Sequence, residues 1–299
     1  MLEKIKEVPF IDESAAVRVR SIEGKTVLER NDRVIWASEE TALQSEGIDC
    51  YVEAEKFLTL LPEVKSLYQG ECLVLTLKND AKYELPFLSV SWETPEMATE
   101  YENTIMFKLD DLMLCTLKNL VKPELQCICI DETGAVSCDF VSACISNTVR
   151  ASQPILLPPD VQALVNGRQC KVHIDDDKIY ILSSDFKIIT PKPTMSEDRW
   201  WEGLRQMVAA IPCLVSSEKL AESLKRLVMF GDYISFNDNK VWTGTNFEPF
   251  EFVSMPSSKY EIEKVAKVLT TATKITADEG NLIFMNESSK FLVSPMEDA

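Results

Sequence analysis

The sequence predicts an α+β protein made of three tandem domains, each with two helices packed on antiparallel sheets. The 299 residues are 45% apolar, which is enough to build several cores and excludes disorder as the main state. Apolar residues recur at helical spacing in some segments, and short strand-like runs bounded by turn residues follow them. This unit of one helix and several strands ends at Pro86, Pro191 and Pro295, which lie 105 and 104 residues apart.

The last copy of this unit is the clearest. Its helix is predicted over residues 257–273, because Ile262, Val265 and Leu269 share one face. Its strands are predicted at 274–277, 281–286 and 290–294, with turn residues between them. The two earlier copies have the same order of elements, and their predicted segments are helix 158–166 with strands 170–174, 178–182 and 186–190, and helix 53–68 with strands 72–77 and 82–85.

A second unit of similar type precedes each of these copies. Its predicted segments are helix 108–120 with strands 125–131, 136–139 and a run to residue 149; helix 217–230 with strands around 238–239 and near 250–255; and strands 16–21, 26–29 and 34–36 after a helix reduced to 2–7. The predicted domains are therefore 1–100, 104–195 and 212–299, with 196–211 as a linker. In that linker, Trp200 and Trp201 are expected to pack against the domains, and a peptide or ligand platform is the alternative.

Charge and residue counts exclude several classes of function. The 31 Lys and Arg residues stand against 48 Asp and Glu residues, and the net charge of −17 argues against a simple basic nucleic-acid binder while allowing a local basic patch. The single histidine, His173, excludes a metal site with two histidines, and we expect neither a metal nor a cofactor. Nine cysteines without a C-x-x-C pair, and the absence of an apolar run or leader-like N-terminus, predict a cytoplasmic protein with reduced thiols.

Four short segments, taken in order and spacing, resemble the family of bacterial DNA polymerase sliding clamps, the β-clamps of the DNA polymerase III beta type. They are the tail KFLVSPM at 290–296, the strand GAVSCD at 134–139, the helix entry ILLP at 155–158 and the closing strand YELP at 83–86. The sequence departs from the family after Asp139, where Phe140 to Ala143 replace the usual Gly-His-Arg-Leu. It is also shorter than most members, which suits a clamp encoded by a phage or mobile element.

The resemblance implies a DNA-clamp fold that forms a closed ring, a head-to-tail homodimer around duplex DNA. Such a ring is a processivity factor in DNA replication and not an enzyme, because it tethers a polymerase by effective concentration. DNA binding is then independent of sequence and uses lysines on the helix faces opposite the core. The lysines predicted to face DNA are Lys118, Lys122, Lys225, Lys264, Lys267 and Lys274.

The resemblance also implies an apolar pocket for short linear peptides of the DNA polymerase and the clamp loader. The residues that the resemblance places in this pocket are Leu125, Cys138, Phe140, Ala143, Pro212, Leu292, Pro295 and Met296. Leu292 and Met296 are expected on one side of an extended tail. At the ring interface, the matching positions are Tyr83 in the first domain and Met229 and Phe230 in the third.

Two alternative functions stay open at this point. The first is a clamp-like interaction protein that does not encircle DNA, and a stable monomer would favour it. The second is an enzyme that uses a cysteine with His173, although a histidine on an alternating strand is more often structural.

Overall fold

The chain divides into two compact units in a computed structural model that describes residues 16–31, 35–116, 123–194, 199–209, 215–250 and 258–296. The first unit comprises Met1–Met106 and Ala163–Lys192, and the second comprises Phe107–Gln162 and Pro193–Ala299. Each unit draws strands from two of the predicted domains, so the division into three domains stays a prediction.

The described strands are short and pair antiparallel throughout. In chain order they are β1 (Ala16–Ile22), β2 (Lys25–Asn31), β3 (Trp36–Gln44), β4 (Asp49–Glu53), β5 (Val64–Gln69), β6 (Leu73–Leu77), β7 (Lys82–Leu85), β8 (Asn103–Met106), β9 (Ile128–Asp131), β10 (Gly134–Cys138), β11 (Ser142–Ser146), β12 (Ile155–Leu157), β13 (Gln169–Ile174), β14 (Lys178–Leu182), β15 (Phe186–Pro191), β16 (Val215–Ser216), β17 (Tyr233–Asn237), β18 (Lys240–Thr243), β19 (Asn246–Pro249), β20 (Lys259–Glu261), β21 (Lys274–Asp278), β22 (Asn281–Met285) and β23 (Ser289–Val293).

The described helices are between four and ten residues long. They are α1 (Ala54–Leu60), α2 (Asp110–Met113), α3 (Pro159–Val165), α4 (Trp200–Ala209), α5 (Glu218–Leu227) and α6 (Ile262–Val268), with single 3-10 turns at Leu61–Glu63 and Pro123–Leu125. Within the described ranges, none of the helices has the length and apolar character needed to cross a membrane.

The first unit contains an eight-stranded sheet in the order β4-β1-β2-β3-β15-β14-β13-β8 and a three-stranded sheet, β5-β6-β7. On β1 and β6, alternate residues are buried, and Val17, Val19, Leu73 and Leu75 meet Phe57 of α1 in one core cluster. Arg18 and Arg20 point away from that core, where Glu29 and Asp49 pair with them. This alternation follows from the two-residue period of a strand with one covered face.

The second unit repeats this plan with a different set of strands. Its eight-stranded sheet has the order β12-β9-β10-β11-β23-β22-β21-β16, and its four-stranded sheet has the order β19-β18-β17-β20. The last strand of the chain, β23, pairs with β11 from Ser142 opposite Val293 to Ser146 opposite Ser289. The C-terminal tail is therefore held beside the middle third of the sequence.

The structure differs from the predicted secondary structure in several places. The helix predicted over 53–68 ends at Leu60, because Pro62 interrupts it and Val64–Gln69 instead pairs with β6. The predicted linker 196–211 contains the ten-residue helix α4. Strand β3 runs on to Gln44 through a segment rich in polar residues, and β4 follows it, although neither segment was predicted as a strand.

Replacing Gly134 with alanine should lower the free energy of unfolding by about 3 kcal/mol. Gly134 has φ +146°, and a Cβ there would lie 2.4 Å from the backbone oxygen of Ser146, in the paired strand region. A matched control is Gly203→Ala in α4, where a Cβ meets nothing within 4 Å. Urea unfolding should show the loss only for Gly134→Ala, and equal midpoints for the two variants would contradict the clash.

Candidate functional site

The turn between β10 and β11 is built around the buried side chain of Asp139. Its Oδ1 accepts hydrogen bonds from the backbone nitrogens of Val141 (3.2 Å) and Ser142 (2.7 Å) and from Ser142 Oγ (2.9 Å). The Asp139 backbone nitrogen donates to the Ser142 oxygen at 2.9 Å, which closes the turn. Phe140, at the tip, has φ +73° and a relative exposure of 53%.

A lysine from another element completes the bonding of Asp139. Lys264 of α6 pairs through Nζ with Asp139 Oδ2. Burial opposes the charge on Lys264, but the hydrogen bond and the charge of Asp139 outweigh it and raise the pKa of Lys264 above its ordinary value. Lys264 is therefore charged at neutral pH, and a large part of its charge is offset inside the protein.

The C-terminal tail runs beside this turn. The Ser294 backbone nitrogen donates to the Val141 oxygen, and the Met296 nitrogen donates to the Lys259 oxygen of β20, both at 2.8 Å. Pro295 is half-buried, and Met296 is 45% exposed. Two large apolar side chains, Phe140 and Met296, are thus exposed on backbone segments that hydrogen bonds fix in place.

A buried apolar cluster lies next to this turn, at the same end of the sheet. Ala143 and Leu292, paired across β11 and β23, pack with Ile283 and Val208, and Cys138 and Leu204 pack against them. Leu292 is therefore buried while Met296 is exposed, and the strand that contains Leu292 ends at Val293. Leu125 is buried too, and among the described residues it is not part of this cluster, whereas Pro212 lies outside the described residues.

Helix α4 covers the outer side of the cluster and was missed by the sequence reasoning. Two contacts hold it: Lys290 Nζ donates to the Val208 oxygen at 2.9 Å, and Arg205 pairs with Asp131 and donates to the Gly134 oxygen. Trp201 is buried against Cys127, Cys129, Val136 and Leu156, which confirms the packing interpretation of the tryptophan pair. The spacing of Trp201, Leu204 and Val208 on one helical face was the available signal.

The predicted DNA-facing lysines differ in their surroundings. Lys118 and Lys122 lie outside the described residues. Lys225 on α5 and Lys274 on β21 are exposed, and Lys267 on α6 is half-buried. Within the part of the chain that the structure describes, no ion pair involves these three, in contrast to Lys264.

The residues predicted to form the ring interface are all exposed, Tyr83 in the first unit and Met229 and Phe230 in the second. Tyr83 lies on the edge strand β7, 45% exposed, beside a cavity of about 600 Å³ lined by Lys56, Thr59, Leu60 and Leu85. In the second unit, Met229 and Phe230 follow α5 with exposures of 71% and 58%. Phe247 is exposed on β19, an edge strand of the four-stranded sheet.

The chemistry expected of a cysteine–histidine enzyme is not supported by the surroundings of His173. Its Nδ1 lies 2.8 Å from Glu102 Oε1, and the rings of Tyr101 and Tyr180 flank it. On the same strand, burial raises the pKa of the Cys170 thiol to about 11, so a thiolate is scarce at neutral pH. Among the described residues, no group of three His, Cys, Asp or Glu side chains is arranged to hold a metal ion.

Comparison with known proteins identifies the fold. No protein-family model and no curated protein matches the sequence. Among solved structures, the chain is similar to the Helicobacter pylori beta clamp bound to a DNA ligase peptide, with a TM-score of 0.72 and 13% identity over 99% of this chain and 97% of that one. It is similar to DNA polymerase III subunit beta from Borrelia burgdorferi, with a TM-score of 0.74 and 14% identity over 100% and 97% of the two chains.

A third similar structure is the DNA polymerase III beta chain from Streptococcus pneumoniae, with a TM-score of 0.74 and 10% identity over 99% and 97% of the two chains. The chain therefore has the fold of the bacterial DNA polymerase III beta-subunit sliding clamps. The likeness spans nearly the full length of both chains, and it confirms the resemblance inferred from the four sequence segments.

Proposed function

We propose that this protein is a DNA polymerase processivity factor, a sliding clamp that encircles duplex DNA and tethers its partners without being an enzyme. The observation that carries this proposal is the likeness to sliding clamps over 99–100% of the chain at TM-scores of 0.72–0.74. A ring of that kind acts by raising the effective concentration of polymerase at the primer end.

The lysines that would contact DNA are those that form no ion pair within the described part of the protein. Lys225, Lys267 and Lys274 fit this role, and Lys118 and Lys122 are assigned to it from the sequence alone. Lys264 contributes less, because Asp139 offsets its charge. With a net charge of −17, the protein should bind short linear DNA weakly, and topology rather than affinity should retain it.

Partner binding is assigned to the surface around the Phe140 turn and the tail. A DNA ligase peptide is bound by the Helicobacter pylori clamp. In this chain the accessible apolar residues at the proposed site are Phe140, Pro295 and Met296, while Ala143, Leu292 and Val208 form its buried support. Apolar anchors of an extended peptide from a polymerase or a clamp loader would bury their side chains there.

Ring closure should come from two copies arranged head to tail. The exposed Tyr83 on edge strand β7 of one copy would meet Met229 and Phe230 of the other, at the end of α5. A heterologous contact of this type closes into a ring when the rotation is two-fold. Light scattering at micromolar concentration should give about twice 33.8 kDa, and a stable monomer there would contradict the closed ring.

One observation favours the alternative, a clamp-like interaction protein that does not encircle DNA. Acidic residues outnumber basic ones by 48 to 31, and Glu222 and Glu263 are exposed on the same helices as Lys225 and Lys267. This alternative predicts a monomer with the same partner surface. The mass measurement separates the two functions without knowledge of the partner.

A further inference from the structure

Phe140 combines a strained backbone with an exposed aromatic side chain. Six described residues other than glycine have positive φ, namely Glu23, Asp80, Phe140, Asp238, Asn239 and Glu279. Five of them are acidic or Asn residues at turns, and Phe140 is the aromatic exception. A bulky side chain at positive φ is an outlier, and such strain persists only where the surroundings enforce it.

The surroundings of Phe140 enforce this conformation from three directions. Asp139 accepts hydrogen bonds from Val141 and Ser142 across the turn. Lys264 fixes the other oxygen of the same carboxylate from α6. Behind the turn, Ser294 of the tail donates to the Val141 oxygen. The turn is thus rigid, although its tip residue has unfavourable torsion angles and stands in solvent.

We propose that Phe140 is a specificity-determining residue of the partner surface, and that Lys264 and Asp139 are positioning residues that hold its ring toward the apolar anchor of a bound peptide. This inference rests on the proposed function, because it assumes that partner peptides bind at the turn and the tail. In this proposal Lys264 holds Asp139, and through it the Phe140 turn, so its role does not depend on contact with DNA. An aromatic ring on a backbone held in place offers a large contact area at low entropic cost, as hot-spot residues do.

The decisive variant is Phe140→Gly, because relief of backbone strain should keep or raise the stability of the protein while loss of the ring should weaken peptide binding. Glycine adopts φ +73° without penalty, so the melting temperature should rise by a few degrees or stay unchanged. Binding should weaken at least tenfold, while Phe140→Tyr should stay within about twofold of the natural protein. The probe is a fluorescein-labelled hexapeptide with leucine and phenylalanine two positions apart in a glycine–serine background, measured by anisotropy against its double-alanine counterpart.

The positioning role has a separate test in a double-mutant cycle. Lys264→Met should weaken probe binding several-fold with the oligomer mass intact, and Lys264→Arg should restore most of it. In the Phe140→Gly background, Lys264→Met should change binding by less than twofold, because Lys264 acts through Phe140. Lys219→Met, at an exposed position on α5 of the same unit, is the control and should leave probe binding unchanged.

Three outcomes would overturn the inference in distinguishable ways. Unchanged binding by Phe140→Gly would remove Phe140 from the site while leaving the partner surface in place. Persistence of the Lys264→Met effect in the Phe140→Gly background would show that Lys264 acts independently of Phe140. Absence of probe binding by the natural protein would overturn both the partner surface and this inference, whereas the ring and DNA retention are measured separately.

Discussion

A nicked circular duplex should retain this protein through gel filtration at physiological salt, and cutting the circle should release it. The expected contrast is nearly all-or-none, because a closed ring leaves linear DNA by sliding off an end. Equilibrium attraction cannot produce the same contrast, since the phosphate charge is the same before and after cutting. Because a closed ring must open to enter a circle, the natural chain is first diluted until light scattering shows monomers, and is then concentrated together with the nicked circles.

The proposed lysines can be tested on the same substrate. Reversal of Lys225, Lys267 and Lys274 to glutamate should reduce recovery of the protein on circles, because these side chains would then repel the phosphates. A matched control reverses Lys65, Lys171 and Lys178, three exposed lysines of the first unit, and alters net charge by the same amount. Equal recovery on circular and linear DNA by the natural protein would contradict encirclement and favour the clamp-like interaction protein.

The sequence was sufficient to predict the elements that local periodicity determines. Helices α5 and α6 lie inside the predicted segments 217–230 and 257–273, because Leu220, Leu224 and Leu227 or Ile262, Val265 and Leu269 form one apolar stripe. Strands β21, β22 and β23 follow where turn residues separate short apolar runs. The regular spacing of Pro86, Pro191 and Pro295 indicated where the repeated units end.

Features set by distant partners were beyond this kind of reasoning. Residues 64–69 have helical apolar spacing, yet they form β5, which pairs with the next strand, β6, from Gln69 opposite Leu73 to Val64 opposite Leu77. The ion pair between Lys264 and Asp139 joins positions 125 residues apart, so helical periodicity showed only that Lys264 lies opposite the core stripe. Phe140 is exposed at the tip of the turn that Asp139 holds, and the sequence marked the position only as a departure from the family pattern.

The ring interface should be lost when Met229 and Phe230 are both replaced by glutamate. Burying each side chain in an interface is worth about 1.5–3 kcal/mol, so the double change should weaken each of the two interfaces of the ring by roughly two to four orders of magnitude in its dissociation constant. Both residues are mostly exposed in the single chain, so its melting temperature should change little. The expected light-scattering mass is therefore near 33.8 kDa at micromolar concentration.

A matched control for this change is Tyr68→Glu. Tyr68 is 68% exposed on β5, the opposite edge of the three-stranded sheet from β7, and its replacement should leave the dimer mass unchanged. If Tyr68→Glu dissociates the dimer as strongly as the double variant, the effect would reflect added charge and not a specific interface.

Mixing two defective chains gives the sharpest test of the head-to-tail arrangement. Tyr83→Glu should damage one surface, and the Met229→Glu, Phe230→Glu double variant should damage the other, so each chain alone should be monomeric. In a mixture, one intact surface remains on each chain, and the two intact surfaces are complementary.

The mixture should therefore form a heterodimer with one good interface and one broken one. It should have the mass of two chains but should not be retained on nicked circles, because the ring stays open. A mixture that remains monomeric, or one that is retained like the natural protein, would contradict the assignment of Tyr83 and Met229–Phe230 to opposite sides of one interface.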